Sequence, residues 1–142
     1  MHNQPMEMSS APPAYESPSP AHSHYRIAAE FADYFPAVDF PHYGAFLAVL
    51  GSAVKRESRT FVTIVQRSRE GFPVGEVLSF VLKVYKYPIL PRLRTALQIS
   101  KAEREFNSLR YLNEIGVGAA QAVGYGVERD AVGLVRSCFV IT

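Results

Sequence analysis

Runs of apolar residues in the middle of the chain, interrupted by few polar positions, predict β-strands whose side chains alternate between two faces. Residues 77–86 are the clearest case, because Phe80, Leu82 and Val84 fall on one face of an extended strand and Val81, Lys83 and Tyr85 on the other. Other segments rich in β-branched residues or bounded by turn residues have the same character. They predict four more strands, at 46–54, 59–66, about 120–125 and 134–141, with 55–58 as the turn between the first two.

A helical period replaces this alternation after residue 100. Ser100 and Glu103 have the spacing of a capping box, in which the serine is the N-cap and the glutamate is at N3. Gly116 follows as a suitable stop after Ile115. The apolar stripe of the predicted helix consists of Ala102, Phe106, Leu109 and Leu112. A shorter basic helix is predicted at 92–98.

The predicted order β-β-β-α-β-β is an α+β fold, an antiparallel five-stranded sheet with one packed helix. Residues 1–25 are rich in Pro, Ser and His with few large aliphatic residues, and composition predicts a disordered tail. Residues 26–45 are rich in aromatic residues and are predicted to pack on the domain as a lead-in. The domain itself is assigned to 46–142.

Charge is distributed unevenly along the 142 residues, although the formal net charge is only +2. Residues 1–49 carry one arginine and five acidic residues, whereas 50–110 carry twelve lysines or arginines and five acidic residues. The basic middle suggests either an anionic partner or a solvated basic face. The single cysteine, Cys138, permits no internal disulfide, and no run of about 18 apolar residues exists.

Lys83 is unusual because both faces of its strand are otherwise apolar, and a buried ammonium needs an anionic partner. On the predicted helix, Glu103 belongs to the capping box and Glu114 lies near Arg110 on the polar face. Glu105 falls between Leu109 and Leu112 at about 100° per residue, so it points at the sheet. A strand lysine paired with a helix glutamate holds ATP phosphates in protein-kinase-like folds. The alternative is a structural ion pair.

Three further residues belong to the predicted nucleotide site. Val81 lies two positions before Lys83 on the same face, where it would cover an adenine ring or simply pack in the strand. Gly51 and Ser52 are the only candidates for a phosphate-cradling loop, and a single glycine is a weak signal that also fits a bulge. The cations that follow, Lys55, Arg56 and Arg59, either contact phosphates or are turn charges.

Catalytic residues are not predicted in this chain. Phosphoryl transfer needs one aspartate near the acceptor hydroxyl and another for Mg²⁺. Asp33 and Asp39 precede the predicted sheet, and Asp130 sits in a hairpin turn. No His-x-Asp loop, Asp-Phe-Gly, Gly-x-Ser-x-Gly or metal-ligand spacing occurs in the sequence.

The sequence resembles the lipopolysaccharide core kinases, the Kdo and heptose kinases of Gram-negative bacteria. The resemblance runs from about Phe46 to Thr142. It is specific in the segments 80–88, 93–94, 100–106, 109–112, 115–117, 124–126 and 137–142. It implies a protein-kinase-like amino-terminal lobe in which Lys83 contacts ATP phosphates and Glu105 holds it. It further implies Mg²⁺ bound outside this chain, a core sugar hydroxyl as acceptor, and a cytoplasmic location with peripheral contact to the inner membrane.

Two departures qualify the resemblance. Gly118, Ala119 and Ala120 stand where the family usually carries proline. The sequence stops at Thr142, where the hinge to a catalytic lobe is expected, so we expect either a fragment of a longer protein or a truncated relic. Two alternatives stay open: a non-catalytic pseudokinase-like interaction lobe, and a nucleic-acid-binding module. The second would use Arg56, Arg59, Arg67, Arg69, Arg92 and Arg94, against our expectation of no nucleic-acid partner.

Overall fold

The computed structural model of the protein describes residues 15–16, 23–49, 55–57, 59–71, 76–93 and 99–142. The strands are β1 Tyr15–Glu16, β2 Ser23–Ile27, β3 Lys55–Glu57, β4 Thr60–Ser68, β5 Val77–Lys86, β6 Gly124–Arg129 and β7 Val135–Ile141. The helices are a 3₁₀ helix Ala29–Tyr34, α1 Tyr43–Ala48, α2 Ile89–Arg92 and α3 Lys101–Glu114.

All seven strands form one antiparallel sheet in the order β1-β2-β6-β7-β5-β4-β3. The predicted α+β class with an antiparallel sheet is therefore confirmed. The sheet is wider than the five predicted strands because β2 pairs with β6 and carries β1 at its outer edge. Strand β5 is central, since it pairs with β4 on one side and β7 on the other.

One face of the sheet is covered by the aromatic segment that follows β2. Phe80, Leu82 and Val84 of β5 project into this core, as their alternation predicts. They pack with aromatic rings from the 3₁₀ helix, α1 and the residues between them, namely Tyr34, Phe35, Phe40, Tyr43 and Phe46. The Tyr25 hydroxyl donates a hydrogen bond of 2.6 Å to the Phe40 carbonyl, which satisfies a buried polar group in this layer. We call this face the aromatic face.

Helix α3 covers the opposite face, which we call the helix face. The Ser100 hydroxyl accepts a hydrogen bond of 3.1 Å from the Glu103 amide, so the predicted N-cap is confirmed. Gly116 has φ of +75°, the left-handed conformation expected just after a helix C-terminus. Ala102 and Phe106 are buried against Tyr125 and neighbouring residues of β6 and β7. The sheet is thus buried on both faces along its centre.

The predicted strand at 46–54 is wrong for its first residues. Residues 43–48 form helix α1, in which Tyr43 and Phe46 share the buried side at a spacing of three. Residues 50–54 lie outside the described residues. The predicted turn at 55–58 is also wrong, because Lys55–Glu57 is strand β3, paired with β4 from Lys55↔Val62 to Glu57↔Thr60. Strand pairing therefore extends into the charged segment that was predicted to be a turn.

Other boundaries agree more closely. Strand β5 spans the predicted 77–86, β4 spans 60–68 and β7 spans 135–141, whereas β6 begins later than predicted, at Gly124. The predicted helix at 92–98 falls largely on residues 94–98, outside the described residues. The described part of the predicted disordered segment 1–25 is extended. Strand β1 lies within it, and β2 begins there at Ser23, where its backbone pairs with β6 and the Tyr25 side chain is buried.

The acidic N-terminal segment pairs with the basic middle of the chain. Arg67 contacts Asp39 at 3.0 Å and Arg69 contacts Asp33 at 3.1 Å. A third pair of this kind joins Arg110 to Glu30 at 2.8 Å. Part of the positive charge of the basic middle is therefore balanced by the chain's own N-terminal segment.

Gly126 provides a test of the aromatic core. A Cβ added there would collide with the buried Phe139 ring, lying 2.6 Å from its Cζ, and 3.0 Å from the Tyr43 ring. We expect Gly126→Ala to lower the free energy of unfolding by about 1–3 kcal/mol, measured by denaturant titration. Gly118→Ala is the control, because an added Cβ there meets no described atom within 4 Å. Equal stability of the two variants would contradict the described packing.

Candidate functional site

Lys83 and Glu105 form an ion pair at the edge of the region that α3 covers. The Lys83 Nζ donates to Glu105 Oε1 at 2.7 Å, and the two side chains are 34% and 25% exposed. The predicted contact between strand and helix is present. Partial exposure matters here, because an ammonium with three donors that uses one on its carboxylate can offer the others to a ligand.

Tyr85 fixes the second oxygen of the same carboxylate. Its hydroxyl donates to Glu105 Oε2 at 2.8 Å, so each Glu105 oxygen accepts a hydrogen bond from a different residue of β5. Burial raises the pKa of the Tyr85 phenol, and the hydrogen bond to Glu105 raises the pKa further. The neutral phenol therefore remains a donor to the carboxylate over the physiological range. Sequence reasoning missed Tyr85, although its alternation with Lys83 placed both side chains on one face.

An apolar shelf lies beside the ion pair on the helix face. Val81 is partly exposed and stands opposite Ile64 of β4, which is 55% exposed. Val62 stands opposite Lys83, and Thr142 pairs with Val81 through backbone hydrogen bonds of 2.8 and 3.0 Å. These residues define what we call the shelf: Val62, Ile64, Val81 and Thr142. The register of β4 against β5, which the sequence pattern left open, brings Ile64 and Val62 to Val81 and Lys83.

The remaining predicted residues lie elsewhere. Gly51 and Ser52, the candidate phosphate loop, are outside the described residues, as are the side chains of Lys55 and Arg56. Arg59 faces away from the shelf, since it stands opposite Lys86 rather than Lys83. The aspartates are engaged in structural contacts with Arg69, Arg67 and Arg92. Arg67 and Arg69 are thus paired within the chain, which weakens the nucleic-acid-binding alternative.

The residues that the structure describes contain no cluster of metal-ligating side chains. Among these, no three His, Cys, Asp or Glu side chains are close enough to hold a metal ion. The described residues therefore do not by themselves fit a bound Mg²⁺, and we assign no chemical step to one. None of the described helices is both long enough and apolar enough to cross a membrane.

Comparison with known proteins adds no assignment. No family model, no curated protein sequence and no solved structure matches the chain.

The Tyr85 phenol gives the site a pH dependence. Because its pKa in the folded protein is above the ordinary value of about 10, the stabilisation it provides is complete below about pH 10 and is lost as pH rises beyond it. We expect Tyr85→Phe to reduce the decline in the free energy of unfolding above about pH 10. Denaturant titrations at a series of alkaline pH values measure this slope.

Tyr111→Phe is the matched control for this experiment. Tyr111 is 62% exposed on α3, so its removal should leave the wild-type decline unchanged. Identical alkaline slopes in the two variants would show that the Tyr85 phenol is not held neutral by burial and by Glu105.

Proposed function

We propose that the chain is the ATP-binding lobe of an ATP-dependent kinase that phosphorylates a sugar hydroxyl of the lipopolysaccharide core. The observation that carries the proposal is the 2.7 Å contact between Lys83 and Glu105, beside a partly exposed apolar shelf. Such a pair holds an ammonium where it meets the α- and β-phosphates of a nucleotide. The shelf suits the face of an adenine ring, because binding would remove apolar surface of both from water.

The arrangement of elements supports this proposal. From β3 onward the chain runs β-β-β, then the four-residue helix α2 and helix α3, then β-β. Apart from α2, this is the order expected of a protein-kinase-like amino-terminal lobe. Helix α3 lies on the face of the sheet that carries Lys83. The aromatic segment and β2 are additions to this pattern, and they cover the opposite face without reaching the shelf.

The roles of the residues follow from their positions. Tyr85 fixes the Glu105 carboxylate, and Glu105 in turn holds the Lys83 ammonium in place. Part of the conformational entropy that the Lys83 side chain must lose is therefore lost before a nucleotide binds. Lys83 then offers charge-assisted hydrogen bonds to phosphate oxygens. By the resemblance, a catalytic aspartate and the Mg²⁺ ligands belong to a second lobe, and the acceptor is a core sugar at the cytoplasmic side of the inner membrane. No residue of this chain is assigned to proton transfer.

Nucleotide binding by the chain itself tests the proposal. We expect MgATP to shift the amide NMR signals of Val81, Lys83 and Thr142 with a Kd of about 1 mM, because half a cleft buries little of the ligand. Lys83→Met should weaken binding at these signals about tenfold or more, since it removes a charged hydrogen-bond donor. Phosphate transfer to a core sugar is not expected from these 142 residues alone.

Lys86→Met is the matched control, because Lys86 lies on the same strand but faces the aromatic side. It should leave the response of Val81 and Thr142 to MgATP unchanged. The proposal fails if MgATP produces no saturable shifts at the shelf, or if Lys83→Met binds like the wild type while remaining folded. The second result would favour a purely structural ion pair.

A further inference from the structure

A second cationic site lies on the aromatic face, at the other end of β5. Lys86, the last residue of β5, stands opposite Arg59 on one side and Ser137 of β7 on the other. Ser137 in turn stands opposite Glu128 of β6. Directly opposed residues of antiparallel strands project from the same face, so these four side chains form one row across four strands.

The row borders an open cavity of about 430 Å³. Arg59 and Lys86 form one wall, Arg92 and Arg136 contribute further guanidinium groups, and Leu47 of α1 closes the apolar side. This volume lies within the range of small-molecule sites, and it is larger than a single phosphate ion requires. Its walls carry four cationic side chains and one carboxylate, Glu128.

Carboxylates lie near two of the four cationic side chains, Arg136 and Arg92. The Glu128 carboxylate lies 3.6 Å from Arg136, and Arg92 lies 3.9 Å from Asp130. Among the described residues, neither Arg59 nor Lys86 has a carboxylate within ion-pair distance. Like charges directly opposite one another on adjacent strands destabilise a sheet. An anion between Arg59 and Lys86 would remove that repulsion.

The floor and walls of the cavity are ordered before any ligand binds. The Ser137 and Tyr43 hydroxyls are joined by a hydrogen bond of 2.7 Å beneath the row. The Lys86 ammonium lies 4.9 Å from the centre of the Phe61 ring, a cation–π contact that holds it over the sheet. The Arg92 Nε donates to the Tyr87 carbonyl at 2.8 Å, which fixes a third cation at the rim.

From these contacts we propose that the cavity binds a phosphomonoester group, carried either by a small metabolite or by a lipid headgroup. A dianion matches a pair of unbalanced cations, and arginine presents a planar donor set that suits phosphate oxygens. The site is separate from the nucleotide site. Lys83 and Lys86 are three residues apart, about 10 Å along the strand, and they face opposite sides of the sheet.

Binding of defined anions at constant ionic strength tests the inference. The probes are inorganic phosphate, glycerol 3-phosphate, and phosphatidylcholine vesicles with and without phosphatidic acid, with acetate as the carboxylate control. Amide signals of Lys86 and Ser137 report soluble probes, and co-sedimentation reports vesicles. We expect at least one phosphate probe to bind saturably, and the probe that binds identifies the source of the group.

Four variants distinguish binding at this cavity from non-specific attraction of anions to the basic residues of the chain. Arg59→Met and Lys86→Met should each weaken binding about 10- to 100-fold, whereas Lys86→Arg keeps the charge and should retain it. Lys83→Met should leave phosphate binding at this cavity unchanged. This variant therefore also distinguishes a failure of the present proposal from a failure of the proposed nucleotide site. The inference is overturned if no phosphate probe binds, if acetate binds equally well, or if Lys83→Met weakens binding as much as Lys86→Met.

Discussion

The central part of strand β5 is covered on both faces, and the rest of the structure depends on that constraint. Its even-numbered side chains need one apolar cover and its odd-numbered side chains another, because each face would otherwise leave large apolar residues in water. The aromatic segment provides the first cover and α3 the second. Helix α3 does not reach the whole of its face, and the shelf around Val81 stays partly exposed. The candidate nucleotide site is this uncovered part, with Lys83 at its border.

The uneven charge of the chain is balanced in part by ion pairs within the fold. Exposed pairs such as Arg67–Asp39 and Arg69–Asp33 each contribute about 0–1 kcal/mol to the free energy of unfolding. Their main effect is therefore to orient the N-terminal segment on the sheet. Burial of aromatic rings contributes more, at about 1.5–3 kcal/mol for each fully buried large side chain. The Arg67 guanidinium also lies 4.8 Å from the Phe40 ring centre, so the same side chain takes part in an ion pair and contacts the aromatic core. Within the part of the chain that the structure describes, Arg59 and Lys86 have no carboxylate at ion-pair distance, and they lie opposite each other at one end of the sheet.

Two lysines on one strand therefore have different environments. Lys83 has a carboxylate partner, whereas Lys86 has a cation as its neighbour across the sheet. The difference arises from the alternation of the strand, which turns the two side chains to opposite faces. A helix with a glutamate in phase covers one face, and the other face ends in basic residues beside a cavity. The sheet itself separates the two proposed anion sites.

Local patterns in the sequence determined the extent of β5, the N-cap and phase of α3, and the Lys83–Glu105 contact. These features depend on alternation, capping and helical phase over a few residues, and such signals are visible without a fold. Only the tertiary structure decided that residues 43–48 are helical, that β2 completes the sheet against β6, and that Ile64 joins Val81 on the shelf. Short aromatic segments take the conformation that buries their rings, and strand partners a hundred residues apart are selected by the assembled core.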